Sequence, residues 1–116
     1  MRDPDCIFCK IVAGEIPAKR VMETEHTLVF EDLNPAAPVH CLVIPKSHIP
    51  TANDFTSMDA EILADLLRTA AAVAEKLGLA EDGWRLVTNI NRDGGQTVGH
   101  LHLHVLGGRS MRWPPG

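Results

Sequence analysis

His100-Leu101-His102-Leu103-His104-Val105-Leu106-Gly107-Gly108 alternates imidazole with apolar side chains and then closes on two glycines. Successive side chains of an extended strand point to opposite faces, so residues two apart share a face. The stretch therefore predicts a strand carrying His100, His102 and His104 in a row, about 6.5 Å apart at Cα, two strand rises. Leu101, Leu103 and Val105 would tie its other face to a core. Imidazole titrates near neutrality and can act as nucleophile, acid, base or metal ligand. Three readings compete. The row is a half-exposed strand without a task; or a metal site, although tetrahedral ligation needs ligands converging from elsewhere as well; or a centre for phosphorus chemistry, with a histidine nucleophile and proton carriers beside it. Asp93-Gly94-Gly95-Gln96-Thr97 just upstream favours the third. Its glycines let backbone N–H groups approach an anion, and an amide and a hydroxyl stand alongside.

The run from His100 to Leu106 resembles the histidine triad signature, His-φ-His-φ-His-φ-φ with φ apolar. Gly107-Gly108-Arg109, Met111 and Trp113-Pro114-Pro115-Gly116 are similar to the ending of the Hint branch, the histidine triad nucleotide-binding proteins. The likeness extends through Ile7-Phe8, Glu15-Ile16-Pro17-Ala18-Lys19, Pro38-Val39-His40 and Leu42-Val43-Ile44-Pro45-Lys46, nearly the whole chain.

The 116 residues suit one domain, 1–116, in which dimerisation would help stability. A net charge of −4 without a basic run gives little support to nucleic acid or a membrane surface as partner. Tyrosine is absent and aromatics are few, which argues against stacking along a nucleic-acid strand. No apolar run reaches the length of a membrane span and no signal-peptide core opens the chain. Three cysteines, an odd number, suit a reducing compartment rather than a disulfide framework, so the expected setting is cytoplasmic.

In chain order, Cys6 to Val12 predicts a short helix ending near Gly14. Strands are expected over Arg20–Glu25, Thr27–Leu33, Val39–Pro45 and Trp84–Asn89, with the histidine row as the fifth. A loop carries Thr51 to Phe55. Thr56-Ser57-Met58-Asp59 fits a helix start and Gly78 its stop, with Ile62, Leu63, Leu66, Leu67, Ala70, Val73, Ala74 and Leu77 at helical spacing between them. Locally, Cys6-x-x-Cys9 is half a metal knuckle or a pair of buried thiols. Asp32 and Asn89 are turn residues by default. His40 is a polar exception in an apolar strand, where a satisfied core histidine is the usual account. Cys41 is a small core residue, and His26 a solvated turn residue.

The resemblance implies more. The fold would be α+β, the HIT-like fold: a five-stranded antiparallel sheet with one long and one short helix, dimerising into a continuous sheet. The tail 109–116, with Trp113, would contribute to the nucleotide site or the dimer. Ile7, Phe8, Ile11, Phe30 and Leu33 would form the apolar base pocket for a purine nucleotide resembling AMP, and Asp32 would accept hydrogen bonds from the ribose hydroxyls. Asn89 would donate toward ribose or phosphate. Cys6 and Cys9 with His48 and His100 would hold structural zinc, making His100 a ligand rather than a catalytic group; no catalytic metal is expected. His102 would be the nucleophile, His104 would help protonate the leaving amine, and His40 would orient the nucleophile. Gly95, Gln96 and Thr97 would stabilise the oxyanion. The implied activity is hydrolysis of purine nucleoside 5′-phosphoramidates through a nucleotidyl-histidine. A dinucleoside polyphosphate hydrolase or nucleotidyl transferase would share that intermediate, and a nucleotide-binding adaptor would dispense with turnover. Two positions depart from the Hint pattern. Thr97 replaces a frequent serine and Gly99 a bulky aromatic, which bear on substrate preference.

Overall fold

The computed structural model describes residues 2–116. Its elements are α1 (Ile7–Val12), β1 (Arg20–Glu23), β2 (Thr27–Glu31), β3 (Val39–Pro45), α2 (Ala60–Lys76), β4 (Trp84–Val87), α3 (Asn91–Gly94) and β5 (Leu103–Gly107). The strands form one antiparallel sheet in the order β1-β2-β3-β5-β4. This is the α+β arrangement expected from the sequence.

Alternation along the central strands explains why both faces of the sheet are covered. Val29, Cys41, Val43, Leu101, Leu103 and Val105 pack with Leu66, Ala70, Val73 and Ala74 of α2 on one side. Leu28, Phe30, Leu42 and Ile44 meet Cys6, Phe8, Cys9 and Ile11, the α1 end of the chain, on the other. A strand buried on both faces reads as a continuous apolar run, which is how β3 reads. His40, Leu42 and His104 have the parity of the α1 face, so the functional side chains gather there. Helix α2 serves as the opposite wall.

Several boundaries differ from the sequence reading, each for a local reason. The histidine strand is shorter than its alternation suggests. Only Leu103–Gly107 pair as β5, with Leu42 opposite His104 and Val43 opposite Leu103. His100 to His102 run ahead of the ladder, where the Leu101 N–H donates to the Ile49 carbonyl at 2.6 Å. The leucines nonetheless keep their side, since Leu101 and Leu103 are both buried against α2. Helix α2 begins after Asp59, whose carboxylate accepts from the Glu61 and Ile62 N–H groups, rather than at Thr56. The capping box sits earlier, at Thr51 and Asp54, and turns the expected loop into a 3-10 turn over Ala52–Thr56. The glycine-rich stretch before the histidines contains one helical turn, α3.

The stop of α2 is where the sequence places it. Gly78 has φ +76°, its N–H bonds the Glu75 carbonyl, and the Leu79 N–H bonds the Ala74 carbonyl. This is a Schellman ending, which returns Leu79 to the core. An alanine Cβ at position 78 would meet nothing within 4 Å, so its cost is the left-handed backbone alone. We expect Gly78→Ala to lower the urea midpoint by the equivalent of about 1–2 kcal/mol with an unchanged m-value. Equilibrium unfolding followed by circular dichroism checks this.

Candidate active site

Two histidines, His40 and His104, and one carboxylate, Asp32, form a directed hydrogen-bond chain. Its origin is the Ala36 N–H, which donates to His40 Nδ1 at 3.0 Å. A backbone N–H can only donate, so His40 must carry its own proton on Nε2. That Nε2 lies 2.9 Å from His104 Nδ1 and 3.5 Å from Asp32 Oδ2. His40 therefore donates to His104, which leaves the His104 proton on Nε2. His104 Nε2 is buried and has no hydrogen-bond partner among the described residues, an oriented donor awaiting an acceptor. The pairing is diagonal across β3 and β5: His40 is opposite Leu106, and His104 is opposite Leu42.

His102 is set separately. Its Nδ1 lies 2.7 Å from the His100 carbonyl, to which it donates, so its Nε2 holds a free lone pair. The His102 carbonyl in turn accepts from the Thr88 hydroxyl at 3.0 Å. Ring centroids of His102 and His104 are 5.1 Å apart. The Phe8 ring stands edge-on to His102 at 5.2 Å and 89°. One bare imidazole nitrogen and one imidazole N–H thus lie on neighbouring rings, which is what nucleophilic attack beside a hydrogen-bond donor requires.

Burial disfavours the charged forms of His104 and His40. It pushes His104 down to about 4, helped by repulsion from His102 and His40 and opposed by the Asp32 carboxylate. His40 is lowered for the same first reason, again against Asp32. Asp32, His40 and His104 place ligand atoms within 4.8 Å of one another. A cation there would have to displace the proton from His40 Nε2 and move it to Nδ1, against the Ala36 N–H. The tautomer chain favours a proton network over a metal.

Beside the histidines opens a cleft of about 300 Å³. Ile7, Phe8, Ile11, Phe30 and Leu33 all line it, with Asp32 among them, so the five apolar residues predicted from the sequence come together. Leu33 is 91% exposed, at the mouth. The cleft also takes in Ile16, Pro17, Ala18, Lys19, Leu42 and Val98, to which the sequence reading gave no pocket role. The Ile16-Pro17-Ala18 segment was the available signal, an apolar stretch between two predicted elements.

Other expected contributors are placed differently. The Gln96 side chain is engaged with backbone, tying its own loop to the segment after β3: Oε1 accepts from the Asn91 N–H, and Nε2 donates to the Pro50 and Val98 carbonyls. It holds the Gly95–Val98 backbone in shape. Thr97 lines two shallow grooves shared with Gly99, where an added Cβ would meet nothing within 4 Å. Asn89 backs the α3 turn, its main chain 3.5 Å from where a Cβ on Gly94 would sit. Trp113 is 82% exposed and does not line the cleft. The Ala36 N–H and the Thr88 hydroxyl were missed. The first acts within a four-residue turn and the second across fourteen residues, and the residue types at positions 36 and 88 announce neither.

The fourth group is sulfur-rich. His100 turns away from His104: its Nε2 donates to the Pro45 carbonyl at 2.9 Å, which bares Nδ1 toward Cys6 Sγ at 3.3 Å and Cys9 Sγ at 3.6 Å. His48 Nδ1 lies 3.4 Å from Cys9 Sγ and 3.2 Å from His100 Nδ1. Tetrahedral zinc with bonds of about 2.05 Å to nitrogen and 2.3 Å to sulfur needs ligand separations of about 3.3 Å for N···N and 3.6 Å for S···N. The four side chains fit that set. The N–H groups of Asp3 and Cys9 point at Cys9 Sγ and Cys6 Sγ respectively, each at 3.4 Å, as they would to support thiolates. Burial also keeps the His100 ring neutral, pushing it down to about 4.

Comparison with known proteins accords with this geometry. The family model for the HIT domain matches residues 13–111. The chain belongs to the HIT family. This HIT-family chain is 45% identical over 107 residues to the purine nucleoside phosphoramidase of Escherichia coli K12, covering 92% of this chain and 90% of that one. It is 51% identical to an uncharacterised HIT-like protein of Synechocystis, with 97% of each chain covered. Among solved structures, a HIT family hydrolase from Legionella pneumophila superposes with a TM-score of 0.93 at 54% identity, covering 97% of this chain and 100% of that one. The family match begins after α1, so both knuckle cysteines and Ile7, Phe8 and Ile11 lie ahead of it.

The depressed His104 sets a pH signature. In the unfolded chain this imidazole takes up a proton near pH 6.5, whereas in the folded chain it does so only near 4. Between those values the unfolded state binds more protons, so stability rises with pH through the window and levels off above it. We expect the urea midpoint to climb from pH 4.5 to pH 6.5 in the wild type, and less steeply in His104→Gln.

Proposed function

We propose that this chain hydrolyses purine nucleoside 5′-phosphoramidates through a nucleotide covalently attached to His102. The observation that carries the reading is the hydrogen bond from His102 Nδ1 to the His100 carbonyl, which leaves Nε2 free to attack. The base would enter the apolar cleft between Phe8, Ile11 and Phe30, and Asp32 at its edge would accept from the ribose hydroxyls. Nε2 of His102 attacks the α-phosphorus, the P–N bond breaks, and the nitrogen takes up a proton from solvent, which the later attack of water returns, and departs as the amine. His104 donates a hydrogen bond from Nε2 on the reacting side, in a tautomer set by His40. Water then attacks the phosphorus and releases His102 together with the nucleoside monophosphate. The net reaction consumes one water and yields amine and monophosphate. The name carried by the Escherichia coli relative supports a P–N substrate.

Zinc belongs to the same proposal. Cys6, Cys9, His48 and His100 would hold it with four protein ligands, which leaves no open position for a substrate and gives the ion a structural task. A cytoplasmic setting suits thiols kept reduced, and all three cysteines are free. No helix of the described residues is long and apolar enough to cross a membrane. A homodimer is also proposed: β4 forms one end of the sheet, and a second copy could extend the ladder there while Trp113 reaches across.

Two measurements test this. Release of AMP from a fluorogenic adenosine phosphoramidate should fall by about 10³-fold or more in His102→Ala, because the covalent route is lost, while AMP binding by calorimetry stays close to wild type. Retained turnover would remove His102 as nucleophile. Protein purified without added zinc should contain about one zinc per chain, as a closed four-ligand site predicts. Chelation should lower its thermal midpoint, and trace metal only would dismiss the ion.

A further inference from the structure

Of the two residues between the knuckle cysteines, Phe8 touches more than one working part. Phe8 lies in Cys6-Ile7-Phe8-Cys9, so its backbone is held wherever the two thiols are held. Its ring is 6% exposed and stands edge-on to His100 at 5.8 Å and 73°, to His102 at 5.2 Å and 89°, and to Phe30 at 5.5 Å and 73°. An aromatic edge against another ring's face is a directional contact, sensitive to the angle between the rings. Rotation of the His102 ring about its Cβ–Cγ bond would break the 2.7 Å hydrogen bond to the His100 carbonyl. That torsion is broad and roughly two-fold when nothing restrains it.

We infer that Phe8 is a positioning residue for the nucleophile: its ring blocks rotation of His102 and so keeps Nδ1 on the carbonyl and Nε2 bare. This inference rests on the proposed role of His102 and deepens it, joining the Cys6–Cys9 helix to the reacting nitrogen through one side chain. His100 supplies the other half of the clamp, because its ring lies in the sulfur cluster while its carbonyl holds His102. The state of the knuckle therefore reaches the nucleophile from two sides.

Ile11 provides the control. It lines the same cleft from the same helix and takes part in none of the ring contacts made by Phe8. Both Phe8→Leu and Ile11→Ala should raise KM for an adenosine phosphoramidate by a few-fold. Only Phe8→Leu should lower kcat at saturation, by about tenfold. In the wild type and in Ile11→Ala, proton NMR should show a slowly exchanging, downfield Nδ1–H of His102; in Phe8→Leu that signal should broaden or vanish. Equal kcat in the two variants, with the His102 signal intact in both, would overturn the assignment. Should Phe8→Leu fail to fold, Phe8→Met carries the same comparison with a flexible apolar side chain. If the wild type turns over no phosphoramidate, the functional proposal fails, and the Nδ1–H signal still decides whether Phe8 locks the ring.

Discussion

The 2.7 Å hydrogen bond from the His102 ring to the carbonyl two residues earlier is the contact around which this chain is arranged. It needs residues 100–102 extended, so that ring and carbonyl can meet, and it needs water excluded, so that the ring does not exchange its partner. The fold supplies both. Leu101 and Leu103 anchor the backbone in the α2 core on one side, and Phe8 closes the other. With Nδ1 committed as a donor, the neutral ring carries its lone pair on the second nitrogen.

A second set of bonds imposes the opposite tautomer on the neighbouring ring. The Ala36 N–H cannot accept, so His40 and then His104 each direct a proton onward. Two histidines on successive same-side positions are thus made chemically unlike, one a base at Nε2 and one a donor there. Burial supports this at His104: desolvation lowers it to about 4 and keeps that ring a neutral donor. The cost is a buried N–H without a partner, which a bound phosphoryl group could satisfy.

His100 shows why one strand pattern can feed two centres. Its ring faces the thiols of Cys6 and Cys9, and its Nε2 is tied to the Pro45 carbonyl at the end of β3. The first imidazole of the row therefore fastens the N-terminal helix to the sheet, while the other two look into the histidine group. Helix α1 has only six residues, too short to be stable alone. Contacts at both its thiols and its apolar side chains hold it over the sheet.

Much of this was legible along the chain. Alternation in His100–Val105 assigned the leucines to one core and the imidazoles to the other face. The apolar run Val39–Pro45 is β3 to the residue, and Gly78 ends α2. Helix starts were less legible, because several residues from Thr51 to Asp59 can cap a turn and local sequence does not rank them. The five apolar cleft residues were named through family likeness, since a pocket wall and a core wall have the same composition. Tertiary structure alone decided the tautomers. The direction of each proton depends on which group approaches each nitrogen, and the Ala36 N–H and the Pro45 carbonyl reach theirs across 4 and 55 residues of chain. A sequence states which rings are present; which nitrogen of each is free is a matter of what folds against it.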